Sequence, residues 1–313
     1  MTFFDVTRIL SNQRFLDELW MLSDSREEAT PGLGRLRATR RLYTRLHLGM
    51  STAGTGPDDS PLGDSDPGLV ADVRMRLGSR RRPQQGWTLV CATPGSGSLL
   101  RRGDGLLVTA SEGEFRWVGG SNAPDRDAVT VYWPSLEPGR MRGWIWFTGR
   151  SFDKIAVAEP LVRFYVGLDS DQRGALWSDL VATLDDRGLP FSSKVLKGNS
   201  EPARPDNVVI YCRYSDTAAV LTVVANALPE SARSKEAAGF GVAIGPGLSI
   251  AHPEAGEDVQ GSLGMQRSEL IWKVLDGRRN RFDPSRDLHE LRHILKSQES
   301  KVYSILEKVA ADG

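Results

Sequence analysis

Residues 161–168 read LVRFYVGL, and they are followed by PFSSKVL (190–196) and DNVVIYCRY (206–214). Each segment is rich in β-branched and aromatic residues and is bounded by Gly, Pro or Asp, so each predicts a strand. The segments 169–188 and 216–228 lie between and after them and predict helices with acidic or polar caps. Strands and helices of this length in alternation predict a mixed α/β or α+β layer. The expected fold class is α+β.

The region before this core has a different character. Residues 86–149 contain short β-branched or aromatic runs with a period of two, which predict an antiparallel meander or small barrel. Five of the eight tryptophans (Trp87, Trp117, Trp133, Trp144 and Trp146) lie there, and we interpret them as the filling of one small β core. Further upstream, 3–22 and 33–49 predict helices, and 55–68 predicts a flexible linker. The predicted division is an N-terminal helical region over 1–85, an antiparallel β subdomain over 86–150, an α/β core over 151–276 and a C-terminal helical region over 277–313.

The C-terminal segment 284–311 predicts a helix with a heptad pattern. Its apolar positions are Leu288, Leu291, Leu295, Val302, Ile305 and Val309, and Gln298 fills the missing seam position. Two interpretations remain open. The seam packs on the body of the same chain, or it forms the contact of a homodimer or of another partner.

Composition excludes several classes of function. The chain has forty basic and forty acidic residues, so its formal net charge is zero and a general nucleic-acid binder is not expected. Two cysteines cannot build a disulfide scaffold or a structural zinc site, which favours the cytoplasm. The least polar run, 218–228, is about half of the ~20 residues that a membrane span needs. Arginine clusters in 33–49 and 74–82 are interpreted either as solvated faces or as surfaces for an acidic leader peptide or a kinase.

Histidines offer little chemistry in this sequence. His289 and His293 are spaced i, i+4 but have no third ligand nearby, so a solvated face is favoured over a metal site. His47 lies in the basic helix and is interpreted as structural. His252 lies in a Gly/Pro loop, where a catalytic role competes with a structural one.

Cations and phenols share strand faces in the predicted core. Arg163 and Tyr165 lie two residues apart on one strand, as do Tyr211 and Arg213 on another, so each pair faces one side. The other candidates in or beside these segments are Lys194, Lys197, Arg204 and Arg267. A sheet face that collects such groups suits a multiply charged anion, and phosphate fits best because Arg binds its oxygens bidentately. The alternative is that each cation is a solvated rim residue.

The same motifs resemble the HopA-type effector family. LVRFYVGL, PFSSKVL, ARPDNVVIY, GPGLSIAHPEAG and GSLGMQR occur in the order of the family's RFYWNL, PFxFKVLN, YGRxDAxVLY, APGLGLAEDPG and ESFGMHR. The family includes type III secretion effectors of plant pathogens. It also includes stand-alone lyases in gene clusters for class V lanthipeptides and thioamitide-like peptides. The likeness covers about 86–275 and, more faintly, the Leu-Tyr pair of the predicted helix 33–49.

The resemblance implies a phosphothreonine-lyase-like core that eliminates phosphate from phosphoserine or phosphothreonine in a precursor peptide. It implies a separate kinase as partner, a cyclase as a further pathway partner, and neither a metal nor an organic cofactor. By matching motifs, Lys194 is the expected base. Arg163, Arg204 and Arg267 are the expected phosphate ligands, with Lys197 and Arg213 as further candidates. Tyr165, Tyr211 and His252 are the candidate proton donors.

The sequence departs from the family pattern at several of these positions. Arg163-x-Tyr165 stands where phosphothreonine lyases have a Lys-x-His pair, and Gln266 replaces the histidine of GMHR. Ser193 replaces the aromatic residue before the lysine. The alternative to an enzyme is a non-catalytic subunit that binds a phosphopeptide or the kinase.

Overall fold

The structure is a computed structural model that describes most of the 313 residues. The described residues are 10, 12–23, 33–48, 64–93, 97–111, 113–118, 127–154, 159–169, 171–199, 204–253, 262–278, 283, 286–287, 291, 302–304 and 307.

Six α-helices and fourteen strands are described in these ranges. The helices are α1 (Gln13–Ser23), α2 (Leu33–Leu42), α3 (Pro67–Leu77), α4 (Arg173–Asp186), α5 (Thr217–Ala227) and α6 (Leu263–Gly277). A π-helical turn, Tyr43–His47, continues α2, and short 3₁₀ segments lie at Phe152–Lys154, Tyr214–Asp216 and Glu230–Ala232. The first eight strands are β1 (Asp64–Ser65), β2 (Arg81–Thr93), β3 (Gly97–Arg102), β4 (Leu107–Ala110), β5 (Phe115–Trp117), β6 (Ala128–Pro134), β7 (Leu136–Met141) and β8 (Trp144–Thr148). The other six are β9 (Leu161–Val166), β10 (Phe191–Leu196), β11 (Gly198–Asn199), β12 (Val208–Arg213), β13 (Val242–Gly245) and β14 (Leu248–Ala251).

Two large antiparallel sheets organise the chain. A seven-stranded sheet has the order β13-β14-β9-β12-β10-β8-β7, and a five-stranded sheet has the order β4-β3-β2-β6-β5. A two-stranded pair joins β1 to β11. Helices combined with antiparallel sheets confirm the α+β class.

The main core lies on one face of the seven-stranded sheet. Side chains alternate across a strand, so Val162, Phe164 and Val166 of β9 point to this face and are completely buried. They join apolar residues of α3, α4 and α5 in one cluster. Burial of each such side chain stabilises the fold by roughly 1.5–3 kcal/mol. The opposite face of the same strands carries Arg163 and Tyr165 of β9 together with a smaller cluster of buried apolar residues.

The strands predicted over 161–168, 190–196 and 206–214 are confirmed, as are the helices predicted over 169–188 and 216–228, with ends shifted by a few residues. The Gly/Pro loop assigned to His252, residues 239–256, is not a loop throughout, because β13 and β14 form a hairpin in its central part. Gly247, with φ +58°, makes the turn, and a Cβ there would lie 2.7 Å from the Ser234 carbonyl oxygen. The glycines therefore shape a turn between strands instead of a long loop.

The predicted β segment 86–150 is divided between the two sheets. Trp87, Val129 and Val131 are buried in the core of the five-stranded sheet, but β7 and β8 pair into the seven-stranded sheet. The interpretation that all five tryptophans fill one small core is therefore wrong for Trp144 and Trp146. It is also wrong for Trp117, which is 52% exposed. Alternation gives β8 the same sequence pattern in either sheet, so the sequence did not separate them.

Residues 55–63 of the predicted linker 55–68 lie outside the described residues. Residues 64–68 are described and contain β1 and the start of α3. Asp66 caps α3 by accepting hydrogen bonds from the backbone N–H groups of Gly68 and Leu69, at 2.9 and 3.1 Å. Pro67 occupies the first helical position. Leu69, Val73 and Leu77 of this helix then enter the main core.

Only scattered residues of the C-terminal segment are described, and 286–287, 291, 302–304 and 307 are helical. Leu291 and Val302 are buried in two clusters of the same chain, which favours the intramolecular interpretation of the seam. The other seam residues, Leu288, Leu295, Gln298, Ile305 and Val309, lie outside the described residues, as do His289 and His293.

The two arginine clusters make extensive ion pairs within the chain. Arg35 pairs with Glu269 and Arg41 with Glu18. Further ion pairs join Arg76 to Asp72 and Asp179, Arg80 to Asp185 and Asp186, and Arg82 to Glu137 and Asp153. These pairs support a structural reading of much of both clusters. In the part of the chain that the structure describes, no helix is long and apolar enough to cross a membrane.

Candidate functional site

Lys194 lies near the middle of the sheet face that is turned away from the main core. Its Cα partners are Trp146 on β8 and Val209 on β12. Two residues further along β12, Tyr211 pairs with Arg163 on β9. Period-two alternation puts all these side chains on one face, so three neighbouring strands bring together the lysine, a phenol and a guanidinium.

Aromatic rings surround the amine of Lys194. Its Nζ lies 4.4 Å from the ring centroid of Trp144, 5.7 Å from that of Trp146 and 5.9 Å from that of Tyr211. Burial lowers the pKa of Lys194 to about 8, and Arg204 and Arg163 lower it further, against the opposing charge of Asp206. A substantial fraction of the amine is therefore neutral near pH 8 and able to accept a proton.

Tyr211 lies between the two cations. Its ring stacks on Trp146 with centroids 5.4 Å apart, and Cζ of Arg163 lies 5.7 Å from the Tyr211 ring centroid. Burial raises the pKa of Tyr211 to about 12, although Arg163 opposes the shift. The phenol therefore keeps its proton at neutral pH and is available as a donor.

Arg204 is held beside the site by a buried carboxylate. Its Nε and Nη2 donate to the two oxygens of Asp206 at 2.9 and 3.0 Å, and its Cζ lies 5.5 Å from the ring centroid of Trp144. Burial alone would raise the pKa of Asp206, but Arg204 and His47 hold it far below its usual range. The carboxylate therefore stays ionised and fixes the guanidinium against the wall of the site.

The π-helical turn supplies two more partners for Asp206. The Tyr43 hydroxyl donates to Asp206 Oδ2 at 3.1 Å and accepts from Arg204 Nη2 at 3.0 Å. His47 Nε2 lies 3.5 Å from the same Oδ2, and His47 Nδ1 accepts the backbone N–H of Phe240 at 3.4 Å. Burial lowers the pKa of His47, so it is a neutral imidazole with its proton on Nε2. These contacts agree with the interpretation of His47 as a structural residue. Its partner Asp206, however, belongs to the site.

Tyr165 and Arg267 lie on the far side of the same face. The Tyr165 ring contacts His47 edge-on at 5.0 Å, and burial raises its pKa to about 12. Arg267 donates to the backbone carbonyls of Phe240 and His252, and its charge lowers the pKa of Tyr165. These two residues border the site, while Lys194, Tyr211, Arg163 and Arg204 form its centre.

Three candidates lie elsewhere. The His252 ring contacts Tyr214 edge-on at 5.8 Å, and Tyr214 packs against the main core on the other face of the sheet. Arg213 forms a bidentate pair with Asp216. Lys197 follows the end of β10, where its backbone N–H donates to Gly143. These contacts do not support His252 as the acid or Arg213 as a phosphate ligand, and the roles of all three stay predictions.

Ser193 also has a structural explanation. It is completely buried on the helix side of β10, where it accepts the indole N–H of Trp177 at 2.9 Å and donates to the Val209 carbonyl at 2.9 Å. The departure from the family pattern at this position therefore lies on the face opposite Lys194.

Sequence reasoning missed five members of the site: Tyr43, His47, Trp144, Trp146 and Asp206. A signal existed for Asp206, because it follows Arg204 by two residues at the start of a strand. For Tyr43 the signal was the faint likeness of the Leu-Tyr pair in helix 33–49 to the family. For His47 there was none, and the contacts of both residues with Asp206 join positions about 160 apart.

Gly264 allows α6 to approach the π-helical turn. A Cβ at this position would lie 2.7 Å from Tyr43 Cε2 and 3.1 Å from His47 Cδ2. We expect Gly264→Ala to lower the free energy of unfolding by about 1–3 kcal/mol through overpacking, although alanine otherwise favours a helix. Urea unfolding measures the effect.

Gly277→Ala is the matched control, since a Cβ at the last residue of α6 meets open space. It should leave stability unchanged or raise it slightly. Equal stabilities of the two variants would contradict the close approach.

The described residues include no group of three or more His, Cys, Asp or Glu side chains that could hold a metal ion.

Comparison with known proteins places the chain in a family. The model of the HopA1 effector protein family matches residues 142–299, just over half of the chain. The chain belongs to the HopA1 effector protein family. This confirms the resemblance seen in the motifs. The match covers the strands that present Arg163, Lys194 and Tyr211, whereas Tyr43 and His47 lie outside it.

Two solved structures of effector proteins are similar to this HopA1 family member. The effector protein from Pseudomonas syringae pv. syringae strain 61 is 12% identical, with a TM-score of 0.49, and the match covers 92% of each chain. The effector protein from Pseudomonas syringae pv. tomato strain DC3000 is 12% identical, with a TM-score of 0.42, over 89% of this chain and 96% of that one. No curated protein matches the chain.

Proposed function

We propose that the protein is a phosphoserine/phosphothreonine lyase, a carbon–oxygen lyase that eliminates phosphate from a phosphorylated peptide. One observation supports this most strongly: Lys194, with its pKa lowered to about 8, lies beside two arginines and a protonated tyrosine on one sheet face. Cations for a dianion, a base for a weak carbon acid and a proton donor are what the elimination needs.

The reaction balances with these groups alone. Neutral Lys194 takes the proton from Cα, the electron pair of that bond forms the Cα=Cβ double bond, and the Cβ–O bond breaks. The leaving phosphate takes a proton from the Tyr211 hydroxyl, and Lys194 returns its proton to the phenolate. The products are dehydroalanine or dehydrobutyrine and hydrogen phosphate, and both side chains regain their starting states.

The arginines stabilise the charge that develops on the leaving oxygen. A phosphate monoester bears a charge of about −1.5 to −2 at pH 7, and Arg163 and Arg204 both act electrostatically on Lys194. Low dielectric strengthens these interactions. Arg163 is the better placed of the two, since the fork of Arg204 already holds Asp206.

The natural substrate that we propose is a ribosomal precursor peptide of lanthipeptide-type biosynthesis. Its serines and threonines would be phosphorylated by a separate kinase, and a cyclase would use the dehydrated product. This part of the proposal is supported by the family's motifs, and no cofactor is required by the reaction as written.

A second candidate function is a non-catalytic subunit that binds a phosphopeptide or the kinase. The observation that favours it is the occupation of two guanidinium groups by the protein itself, Arg204 by Asp206 and Arg267 by two backbone carbonyls. Incubation with a synthetic phosphopeptide separates the two functions. A lyase removes the mass of phosphoric acid and leaves a thiol-reactive alkene, whereas a binding subunit returns the peptide intact.

The pH dependence of the reaction follows from Lys194. Its pKa of about 8 predicts that kcat/KM rises tenfold per pH unit below pH 8 and levels off above it, because the neutral amine is the active form. Bound phosphate raises the pKa of Lys194 in the complex, so the corresponding rise in kcat occurs at higher pH. Initial rates over pH 6–10 measure both profiles. A kcat/KM that falls between pH 7 and 9 would contradict a lysine base.

A further inference from the structure

The site is accessible along one row of its face. Trp146, Lys194 and Tyr211 are partly exposed, whereas Trp144, Val209 and Arg163 are buried around them. A ligand therefore approaches Nζ of Lys194 across the rings of Trp146 and Tyr211.

Arg140 of β7 lies at the edge of this row. Its Cζ lies 4.5 Å from the Trp146 ring centroid. The Trp146 indole lies between Arg140 and Tyr211. Arg140 comes from the β7 side, and the Tyr211 ring stacks on the indole from the β12 side with centroids 5.4 Å apart. The Arg140 side chain is 45% exposed, so it presents a positive charge to solvent at the entrance to a site whose other arginines are buried.

The guanidinium of Arg140 is only loosely held. Within the described ranges its ion pair is with Glu137, at an Nη1–Oε1 distance of 3.6 Å, which is longer than a hydrogen bond. Glu137 also accepts from the Thr148 hydroxyl at 3.2 Å and lies 3.7 Å from Arg82. The Glu137 carboxylate is therefore shared among Thr148, Arg82 and Arg140. The N–H groups of Arg140 can then hydrogen-bond to a ligand.

We propose that Arg140 is a specificity-determining residue that binds a second anionic group of the substrate, a carboxylate or a further phosphate near the phosphorylated residue. The inference rests on the proposed lyase function and names its substrate class. Arg140 Cζ and Lys194 Nζ lie 4.5 and 5.7 Å from the same indole centroid, so they are at most about 10 Å apart. An extended peptide advances about 3.3–3.6 Å per residue, so the second anion lies within about three residues of the eliminated phosphate. The family match begins after Arg140 and does not assign it.

Elimination from matched peptides tests the proposal. Each peptide has a phosphoserine at one fixed position, and the residue two positions away is Asp, a second phosphoserine or the neutral isostere Asn. The wild-type protein should prefer each anionic peptide over the Asn peptide in kcat/KM by about two- to fivefold, less at high salt, and the larger ratio identifies the favoured anion. Arg140→Gln should reduce both ratios to near one. Each ratio is taken relative to the Asn peptide, so a change in the basal rate caused by loss of the Arg140 charge near Tyr211 cancels. Arg140→Glu should invert both ratios.

Arg142→Gln is the control, because Arg142 is an exposed arginine of the turn between β7 and β8. It should keep the wild-type preference. A wild-type protein without preference, or a preference that survives Arg140→Gln, would overturn the proposal. If no peptide loses phosphate, the lyase function fails. In that case, tryptophan fluorescence measures the dissociation constants of the Asp and Asn peptides for wild type and for Arg140→Gln. A wild type that binds both peptides equally, or a preference for the Asp peptide that survives Arg140→Gln, would overturn the proposal.

Discussion

Replacing Lys194 with glutamine is expected to lower kcat/KM for phosphate elimination by about 10²–10⁴-fold, the usual contribution of a positioned general base. The glutamine side chain is one atom shorter than lysine and keeps much of the packing among the Trp144, Trp146 and Tyr211 rings, but its amide cannot accept the Cα proton at neutral pH. The binding of the phosphopeptide should weaken much less, since Arg163 and Arg204 remain. A large loss of kcat with a small change in KM is therefore the expected pattern.

Two controls separate a lost base from a damaged fold. Lys273→Gln changes an exposed lysine on α6 and should have no effect on the rate. In Lys194→Ala, small primary amines added to the solution should restore part of the elimination, because the missing group is a base and the cavity left by the side chain admits it. Full activity of Lys194→Ala without added amine would refute the assignment.

Replacing Asp206 with alanine is expected to lower the free energy of unfolding by about 3–5 kcal/mol, the cost of leaving a buried charge without its partner. Arg204 is 3% exposed and loses both carboxylate oxygens, while Tyr43 and His47 lose a shared acceptor. Because the pKa of Asp206 is far lower in the folded than in the unfolded chain, its contribution is present above about pH 4 and is lost as the pH falls.

Asp216→Ala is the matched control for this prediction. Asp216 forms a similar bidentate pair with Arg213, but the two side chains are 15% and 27% exposed. Solvated pairs contribute only about 0–1 kcal/mol. Urea unfolding measures the free energy of unfolding of both variants. Equal losses would show that burial does not increase the contribution of the Arg204–Asp206 pair to stability.

Asp206→Asn extends the test to the chemistry of the site. Asp206 raises the pKa of Lys194, while Arg204 and Arg163 lower it. Removing the negative charge should therefore move the rise of kcat/KM to a pH below 8, provided that the variant folds. A structural role alone would change the amount of active protein without changing the pH profile.

Strand alternation predicted which residues share a face with Arg163 and with Tyr211. Each of the two lies in a segment whose alternate positions are apolar, whereas Ser193 weakens this pattern beside Lys194. The antiparallel register that brings Arg163, Lys194 and Tyr211 together was a matter of topology and came only from the structure.

Other features depended on packing between distant segments. The aromatic residues around Lys194 come from β8, whose alternation suits either sheet, so Trp144 and Trp146 were assigned to the wrong core. Asp66 and Pro67 contained the start signal of α3, but the many Gly, Pro and Asp residues before them favoured a linker. The partners of Asp206 were not predictable, since a π-helical turn and a glycine on α6 together position Tyr43 and His47.

The most direct test of a lysine-assisted elimination is a mass measurement on a peptide whose phosphoserine has deuterium at Cα. The proposed mechanism predicts a product that has lost both phosphoric acid and the deuterium. It should form more slowly than from the protiated peptide, and about 10²–10⁴-fold more slowly with Lys194→Gln. A product that has lost its phosphate but retains the deuterium and the serine hydroxyl would show hydrolysis and refute the elimination.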